Sequence, residues 1–387
     1  GKGRGIAFCN ILFARHHFEN AKTGMELRIP QSVAIGTDWF ELFMERNQLF
    51  QLLRGLENDA AIIQAFIQAP LPDELIEQLQ HVFPYLEGPL AVRSSSLLED
   101  SQFQPFAGIY DTFMLPNNHE QFDHRFQDLC NAVKSVYAST YYKRSKDYMH
   151  ATGNMVEEEK MGVIIQEVTG QVYDNFCYPN ISGVARSLNF YPIENEKPDE
   201  GIANIAFGLG KTVVDGDVSL RFSPKFPKKV MQLSSIDSAL KETQKQFYAI
   251  DMSPDSFCAR SLDGGCIHKM DVSEAEDHGS LKFLASTYDF QNHVLRDGTS
   301  YRGKRILTFA SILKYNMFPL AEIIGDLLEM GQTAINTPIE IEFAVNLDTP
   351  SDKPAIFSFL QIRPIVEGAE QEDIDISDEL PEETLIF

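Results

Sequence analysis

Four polar side chains late in the chain have types and spacing suited to a charged ligand. Glu340 and Glu342 are two apart in one apolar run, and Gln361 and Arg363 are two apart in another. In strands, residues two apart share a face. The segment Asp348-Thr349-Pro350-Ser351-Asp352-Lys353-Pro354 reads as a turn, which makes a hairpin of residues 339–347 and 355–365. That register sets Glu342 opposite Gln361 and Glu340 opposite Arg363, while Ile339, Ile341, Leu360 and Ile362 point into a core. A carboxylate beside an amide oxygen is a hard-oxygen pair suited to Mg²⁺, which keeps waters and substrate phosphates as its other ligands. The same pattern also describes a solvated sheet face with a cross-strand Glu340–Arg363 ion pair, which contributes little.

Other segments offer phosphate chemistry. Arg93 ends an apolar strand and enters Ser94-Ser95-Ser96, where a guanidinium fork, hydroxyls and backbone N–H groups suit phosphate oxygens. Gly1-Lys2-Gly3 pairs a point charge with glycines that allow close approach. Gly208-Leu209-Gly210 lacks the spacing of either common glycine-rich nucleotide loop and also fits a tight turn. Gln166-Glu167-Val168 ends an apolar strand and offers backbone groups to a base edge, or simply reaches solvent. The nine histidines are scattered, with none at metal-ligand spacing.

These groups need a folded scaffold, and the composition supplies one. The chain has 387 residues, 43% of them hydrophobic, enough for two or three lobes. Its 56 acidic residues against 33 basic ones leave a formal charge of −23, which argues against nucleic acid or anionic membrane as a partner. A polyanion would need the basic residues gathered in one cleft. No apolar run is long enough to span a membrane. Five cysteines without CxxC spacing read as reduced thiols of a cytoplasmic protein and argue against a zinc site, although Cys266 and His268 lie close together.

Helices are expected over residues 6–18, 58–69, 73–83, 119–148, 235–248 and 316–331, with another capped by Thr37 or Asp38. Strands are expected over 29–35, 90–92, 161–168 and 184–191, with a glycine-rich turn inside 202–216. Residues 367–387 carry no Lys or Arg and read as an acidic linker or the edge of a further domain.

In order, several segments resemble one known family. Gly1-Lys2-Gly3-Arg4-Gly5 is similar to its opening glycine–lysine loop. The segment 29–35 resembles its P-x-G-F-x-[IV] strand, with Ser32 in place of glycine. Ala91-Val92-Arg93-Ser94-Ser95-Ser96-Leu97-Leu98-Glu99-Asp100 and Phe106-Ala107-Gly108-Ile109-Tyr110-Asp111-Thr112 match its VRSS…ED…FAG…DT signature. Ser182-Gly183-Val184-Ala185, Phe207-Gly208-Leu209-Gly210 with Val213-Val214-Asp215-Gly216, Ile341-Glu342-Phe343 and Leu360-Gln361-Ile362-Arg363-Pro364 follow its later motifs. The family is the nucleotide-binding region of phosphoenolpyruvate synthase and pyruvate phosphate dikinase.

The resemblance covers residues 1–366 and implies an α+β, ATP-grasp-like fold. It would have two to three lobes, near 1–115, 116–233 and 234–366, with interleaving left open and mixed or antiparallel sheets flanked by helices. It implies that Lys2 and Arg93 contact ATP phosphates, and that Gln166, Glu167 and Val168 lie near adenine. Glu342 and Gln361 would hold Mg²⁺. Glu340 and Arg363 would complete the site beside ribose and phosphates, and Gly208 and Gly210 would join the nucleotide-binding set. In such enzymes ATP phosphorylates a histidine on a swivelling domain, which passes the phosphoryl group to a pyruvate/phosphoenolpyruvate domain. The family's GG-x-x-S-H-x-A histidine loop does not occur in these residues, so the acceptor is expected on a separate domain. Lys211 replaces a family glutamate, and residues 251–305 match nothing in it. Those departures keep open a regulatory nucleotide-binding module; the ATP domain of a dikinase acting on an antibiotic or a glucan also stays open, because the ATP halves of such enzymes are alike.

Overall fold

In the computed structural model, the described residues are 2–16, 25–96, 98–100, 108–262, 264–349 and 353–365. The chain opens with α1 (Lys2–His16), β1 (Met25–Arg28) and β2 (Ser32–Ile35). A helical stretch follows: α2 (Thr37–Arg46), α3 (Leu49–Leu53), α4 (Asp59–Gln68) and α5 (Asp73–Val82). Next come β3 (Leu90–Ser96), β4 (Thr112–Leu115), α6 (Phe122–Ser139) and α7 (Lys143–Thr152). The middle holds β5 (Met161–Glu167), β6 (Gln171–Tyr173), β7 (Phe176–Tyr178), β8 (Ile181–Arg186) and β9 (Ile202–Ala206). Then follow α8 (Lys211–Val214), β10 (Leu220–Phe222), α9 (Ile236–Glu242), β11 (Gln246–Asp251) and β12 (Ile267–Asp271). The last part is β13 (Ala285–Asp289), β14 (Val294–Asp297), β15 (Lys304–Leu307), α10 (Ala310–Leu313), α11 (Leu320–Ile335), β16 (Ile339–Asn346) and β17 (Ala355–Pro364).

The class is α+β, with mixed and antiparallel sheets and no closed barrel among the described residues. The largest sheet has the order β1-β17-β16-β8-β9-β10; β1 runs parallel to β17 and the other pairs are antiparallel. A four-stranded antiparallel sheet, β2-β5-β3-β4, lies in a separate hydrophobic core with α2 to α7. A second core joins the six-stranded sheet to α11 and to the sheets β12-β11-β7-β6 and β14-β13-β15. No helix among the described residues is long and apolar enough to cross a membrane.

Several elements depart from the sequence reading for identifiable reasons. The glycine-rich opening is helix rather than loop, because α1 begins at Lys2. Its glycines serve packing. A Cβ on Gly3 would meet Ile164 of β5 at 3.1 Å, and one on Gly5 would meet the Ile362 carbonyl of β17 at 2.7 Å. The strand expected from residue 29 starts at Ser32, after Pro30, and β1 precedes it. Thr37 and Asp38 lie inside α2, whose N-cap is Gly36. The expected helix 119–148 breaks after Ser139. Buried Tyr141 and Tyr142 turn inward, and the Ser145 hydroxyl donates to the Ser139 carbonyl at 2.7 Å.

The strand expected at 184–191 is β8, which ends at Arg186. The expected helix 235–248 stops at Glu242, because Phe247 and Ala249 alternate as a strand paired with β12. The expected helix 316–331 is α11, which starts after Pro319. The acidic stretch 367–387, Gly1 and Phe106-Ala107 lie outside the described residues.

Gly5 is where α1 comes closest to the six-stranded sheet. Gly5→Ala is expected to force helix and strand apart and cost about 1–3 kcal/mol. Urea unfolding measures it, and an unchanged midpoint would contradict the contact.

Candidate functional site

The hairpin has the register its sequence implied: Glu342 pairs with Gln361 and Glu340 with Arg363, with an irregularity between Glu342 and Phe343. Ile339, Ile341 and Ile362 are buried on the other face. The polar face of β16 and β17 meets the sheet that carries Arg93. Arg93 lies within β3, which continues to Ser96, so the expected serine loop is strand.

The Arg93 guanidinium crosses from one sheet to the other. Its Nη2 donates to Glu342 Oε2 at 2.6 Å and to Gln361 Oε1 at 3.0 Å. Its Nη1 lies 3.5 Å from Gln166 Oε1. Gln166, 2% exposed, donates in turn to Ser32 Oγ at 3.2 Å and to the Leu360 carbonyl at 3.3 Å. Gln166 is therefore part of the same junction. Glu167 and Val168 are turned elsewhere. Their N–H groups go to the Gln31 and Pro89 carbonyls, and Glu167 Oε1 accepts from the Glu87 N–H.

Two further clusters flank Arg93. Lys2 Nζ pairs with Glu99 at 2.7 Å. Glu99 also accepts from the Ser94 hydroxyl at 2.7 Å and the Ser96 N–H at 3.0 Å, so those serine donors are engaged within the protein. On the other side Glu340, 5% exposed, is gripped from both flanks. Arg363 Nε donates to its Oε1 at 2.7 Å and Arg186 Nε to its Oε2 at 2.7 Å. Arg186, directly across from Glu340 on β8, was not singled out in the sequence. Its signal was Ser-Gly-Val-Ala-Arg, an arginine two residues beyond Val184 on a strand face, but nothing local gave the pairing of β8 with β16.

Four cations (Lys2, Arg93, Arg186 and Arg363) thus stand against three carboxylates (Glu99, Glu340 and Glu342). This is a locally cationic patch in a chain of formal charge −23. Burial pushes the Glu342 carboxyl up, but Arg93, Lys2 and Arg363 outweigh it and hold it below the usual carboxylate range. Behind the patch, burial pushes the Glu159 carboxyl up to about 7.

Gly208 and Gly210 lie in the turn after β9. Gly208 has φ +85° and passes so close to the Tyr248 carbonyl that a Cβ would sit at 2.8 Å. No hydrogen bond or ion pair joins the two glycines to the Arg93 cluster among the described residues. Lys211 adds no free cation, since it pairs with Asp215 at 2.7 Å and lies over the Tyr248 ring.

The donor set of the hairpin fits a hard divalent cation. A carboxylate oxygen and an amide oxygen converge on one point, and a cationic nitrogen already stands there. Arginine forks beside such a pair are chemistry that suits phosphate oxygens, as a nucleotide-binding domain requires.

The chain belongs to the family described as the pyruvate phosphate dikinase AMP/ATP-binding domain, whose model matches residues 2–384. Relatives include an uncharacterized phosphotransferase, YvkC, of Bacillus subtilis. It is 30% identical over 196 residues, which are 50% of this chain and 21% of that protein. A phosphoenolpyruvate synthase of Deinococcus radiodurans is 27% identical over 50% of this chain and 25% of its own length. A rifampicin phosphotransferase of Bacillus cereus is 24% identical over 50% of this chain and 22% of its own length. The chain thus matches a quarter or less of each of these relatives.

Because the folded state holds Glu342 ionised more firmly than the unfolded chain does, its contribution is present above the ordinary glutamate value and lost as pH falls through its lowered one. Glu342→Gln is expected to destabilise the protein at neutral pH. The gap should shrink as pH drops below about 4.3, the ordinary glutamate value. Urea titrations from roughly pH 3 to pH 8 check this; a gap that stays constant would place the Glu342 charge outside the network.

Proposed function

We propose that this chain is the ATP-binding, phosphoryl-donating part of a phosphoenolpyruvate synthase-like phosphotransferase. Its acceptor would be a histidine on a separate swivelling domain, which carries the phosphoryl group on to pyruvate. The observation that carries this reading is the Arg93 bridge, set in a chain of the AMP/ATP-binding family. The bridge gathers a guanidinium, a carboxylate and an amide oxygen from two sheets at one point.

In this reading Arg93 and Lys2 hold phosphate oxygens, and each already has a carboxylate partner it can exchange for phosphate. Arg363 and Arg186 hold Glu340 in place beside the site. Gln166 orients Arg93 from the side of the four-stranded sheet. Glu342 and Gln361 would hold Mg²⁺, which neutralises charge on the transferring phosphate when bound. Little bond-making falls to the protein itself; its contribution is positioning and fixed charge. Gly208, Gly210, Glu167 and Val168 are assigned to the nucleotide on resemblance alone. The division into lobes near 1–115, 116–233 and 234–366 is part of the same proposal.

A second reading keeps the ATP chemistry and changes the acceptor. It is favoured by the relative named rifampicin phosphotransferase. A supplied histidine domain from each class of enzyme, tested for phosphorylation by this chain and ATP, separates the two.

Calorimetric titration with MgATP is expected to give binding that weakens sharply for ATP without magnesium, and Glu342→Ala is expected to remove most of that difference. Near-native behaviour of the variant would sink the metal assignment. Arg93→Ala is expected to weaken ATP by about 1.5–3 kcal/mol, the range for a hydrogen bond to a charged group, and to leave adenosine untouched. Equal losses for the two ligands would show that Arg93 does not read phosphate.

A further inference from the structure

The segment 252–266 joins β11 to β12 and lies in the region that matches no family motif. It does not hang free. Asn118 Nδ2 donates to the Met252 carbonyl at 2.6 Å, and Ser135 of α6 donates to the Ala259 carbonyl at 3.3 Å. The Cys266 thiol donates to the Met114 carbonyl. Phe257 and Cys266 are buried in the core of the four-stranded sheet and its helices. These contacts bring Asp255, held at φ +61°, against the start of α6.

Two histidines wait there. His119 and His124 have ring centroids 4.1 Å apart, and the donor atoms of His119, His124 and Asp255 all lie within 4.8 Å of one another. His124 Nε2 is 3.4 Å from Asp255 Oδ1 and 3.7 Å from Asp128 Oδ2. Donors around a tetrahedral zinc, with bonds of about 2.0–2.2 Å, stand about 3.3–3.5 Å apart. His124 therefore stands near ligand spacing from each carboxylate, and small side-chain turns of His119 and Asp128 would complete the set. Both histidines are half-buried and Asp255 is exposed, so the group can be reached from solvent and its side chains have room to turn.

We propose that His119, His124 and Asp255, with Asp128 as fourth donor, bind a zinc-type divalent transition metal that fastens the 252–264 segment to α6. Two imidazoles with carboxylates suit zinc, cobalt or nickel and not magnesium, which takes oxygen donors. The site is thus distinct in chemistry from the Glu342–Gln361 pair. It was hidden in the sequence because Asp255 is more than a hundred residues from the histidines. Two carboxylates, Asp128 and Asp255, crowd the one imidazole of His124. A divalent cation would relieve the crowding of the two carboxylates. His119 Nδ1 accepts the Gln121 N–H at 3.1 Å, a bond given up when the ring turns to a metal. Gln121 is exposed, so water can take over that donor.

The test is calorimetry of Zn²⁺ into the nucleotide-free chain, with Co²⁺ absorption to read coordination. The expected result is one site per chain, a tetrahedral cobalt spectrum and no competition from Mg²⁺. Metal affinity should fall for His124→Ala and for Asp255→Asn by at least the ~10–100-fold that changes around known metal ligands cost. Asp255 is exposed, so its variant is expected to fold, and circular dichroism checks both variants. Absent zinc binding, or zinc binding that neither substitution weakens, would overturn the site and leave the cluster as ordinary surface hydrogen bonding.

Discussion

The geometry of the site depends on one guanidinium. Arg93 belongs to β3 and is held in place there by its neighbours in the four-stranded sheet, yet its two best acceptors, Glu342 and Gln361, belong to the hairpin of the six-stranded sheet. A charge at such a junction is tolerable only if its donors are met. The bridge therefore fixes how the two sheets face each other. Gln166 buttresses it from one sheet while bonding to the Leu360 carbonyl of the other. The flanking pairs, Lys2 with Glu99 and Glu340 with its two arginines, keep further charges ordered within reach. A strongly acidic chain can in this way present a cationic patch, because at this junction four basic side chains meet three carboxylates.

The sequence was most readable where structure is local. Period-two alternation and a proline-containing turn gave the hairpin its register, down to the pairing of Glu342 with Gln361. Helices set off by prolines, α4 before Pro70 and α5 after Pro72, are equally plain. What could not be read was long-range. Arg186 joins the site only because β8 pairs with β16, more than 150 residues later. The helix over 119–148 breaks because buried Tyr141 and Tyr142 override its amphipathic stripe. The glycines beside Lys2 predict a loop, whereas Gly3 and Gly5 let α1 press against β5 and β17 and so carry Lys2 to Glu99.

The stretch that matched no motif is nonetheless built into the domain. Met270, Val272, Leu281, Leu284 and Ala285 enter the same core as the six-stranded sheet, and Phe257 and Cys266 enter the other. One stretch, inside the residues that the family model matches, thus touches both hydrophobic cores.

The parallel pairing of β1 with β17 links the first turns of the chain to its last described strand; Arg28 bonds to Ser358 across 330 residues. During synthesis β1 has no partner until that strand leaves the ribosome. At about 5–20 residues per second, that is a wait of roughly 15–65 s. For that time α1 and β1 also lack the surface they will cover, a row of apolar groups and open backbone donors left to chaperones or to chance neighbours. The core of α2 to α7 draws nearly all its residues from positions 35–165 and can close early, whereas the six-stranded sheet, and with it the meeting of Arg93 and Glu342, can be completed only once β16 and β17 have emerged.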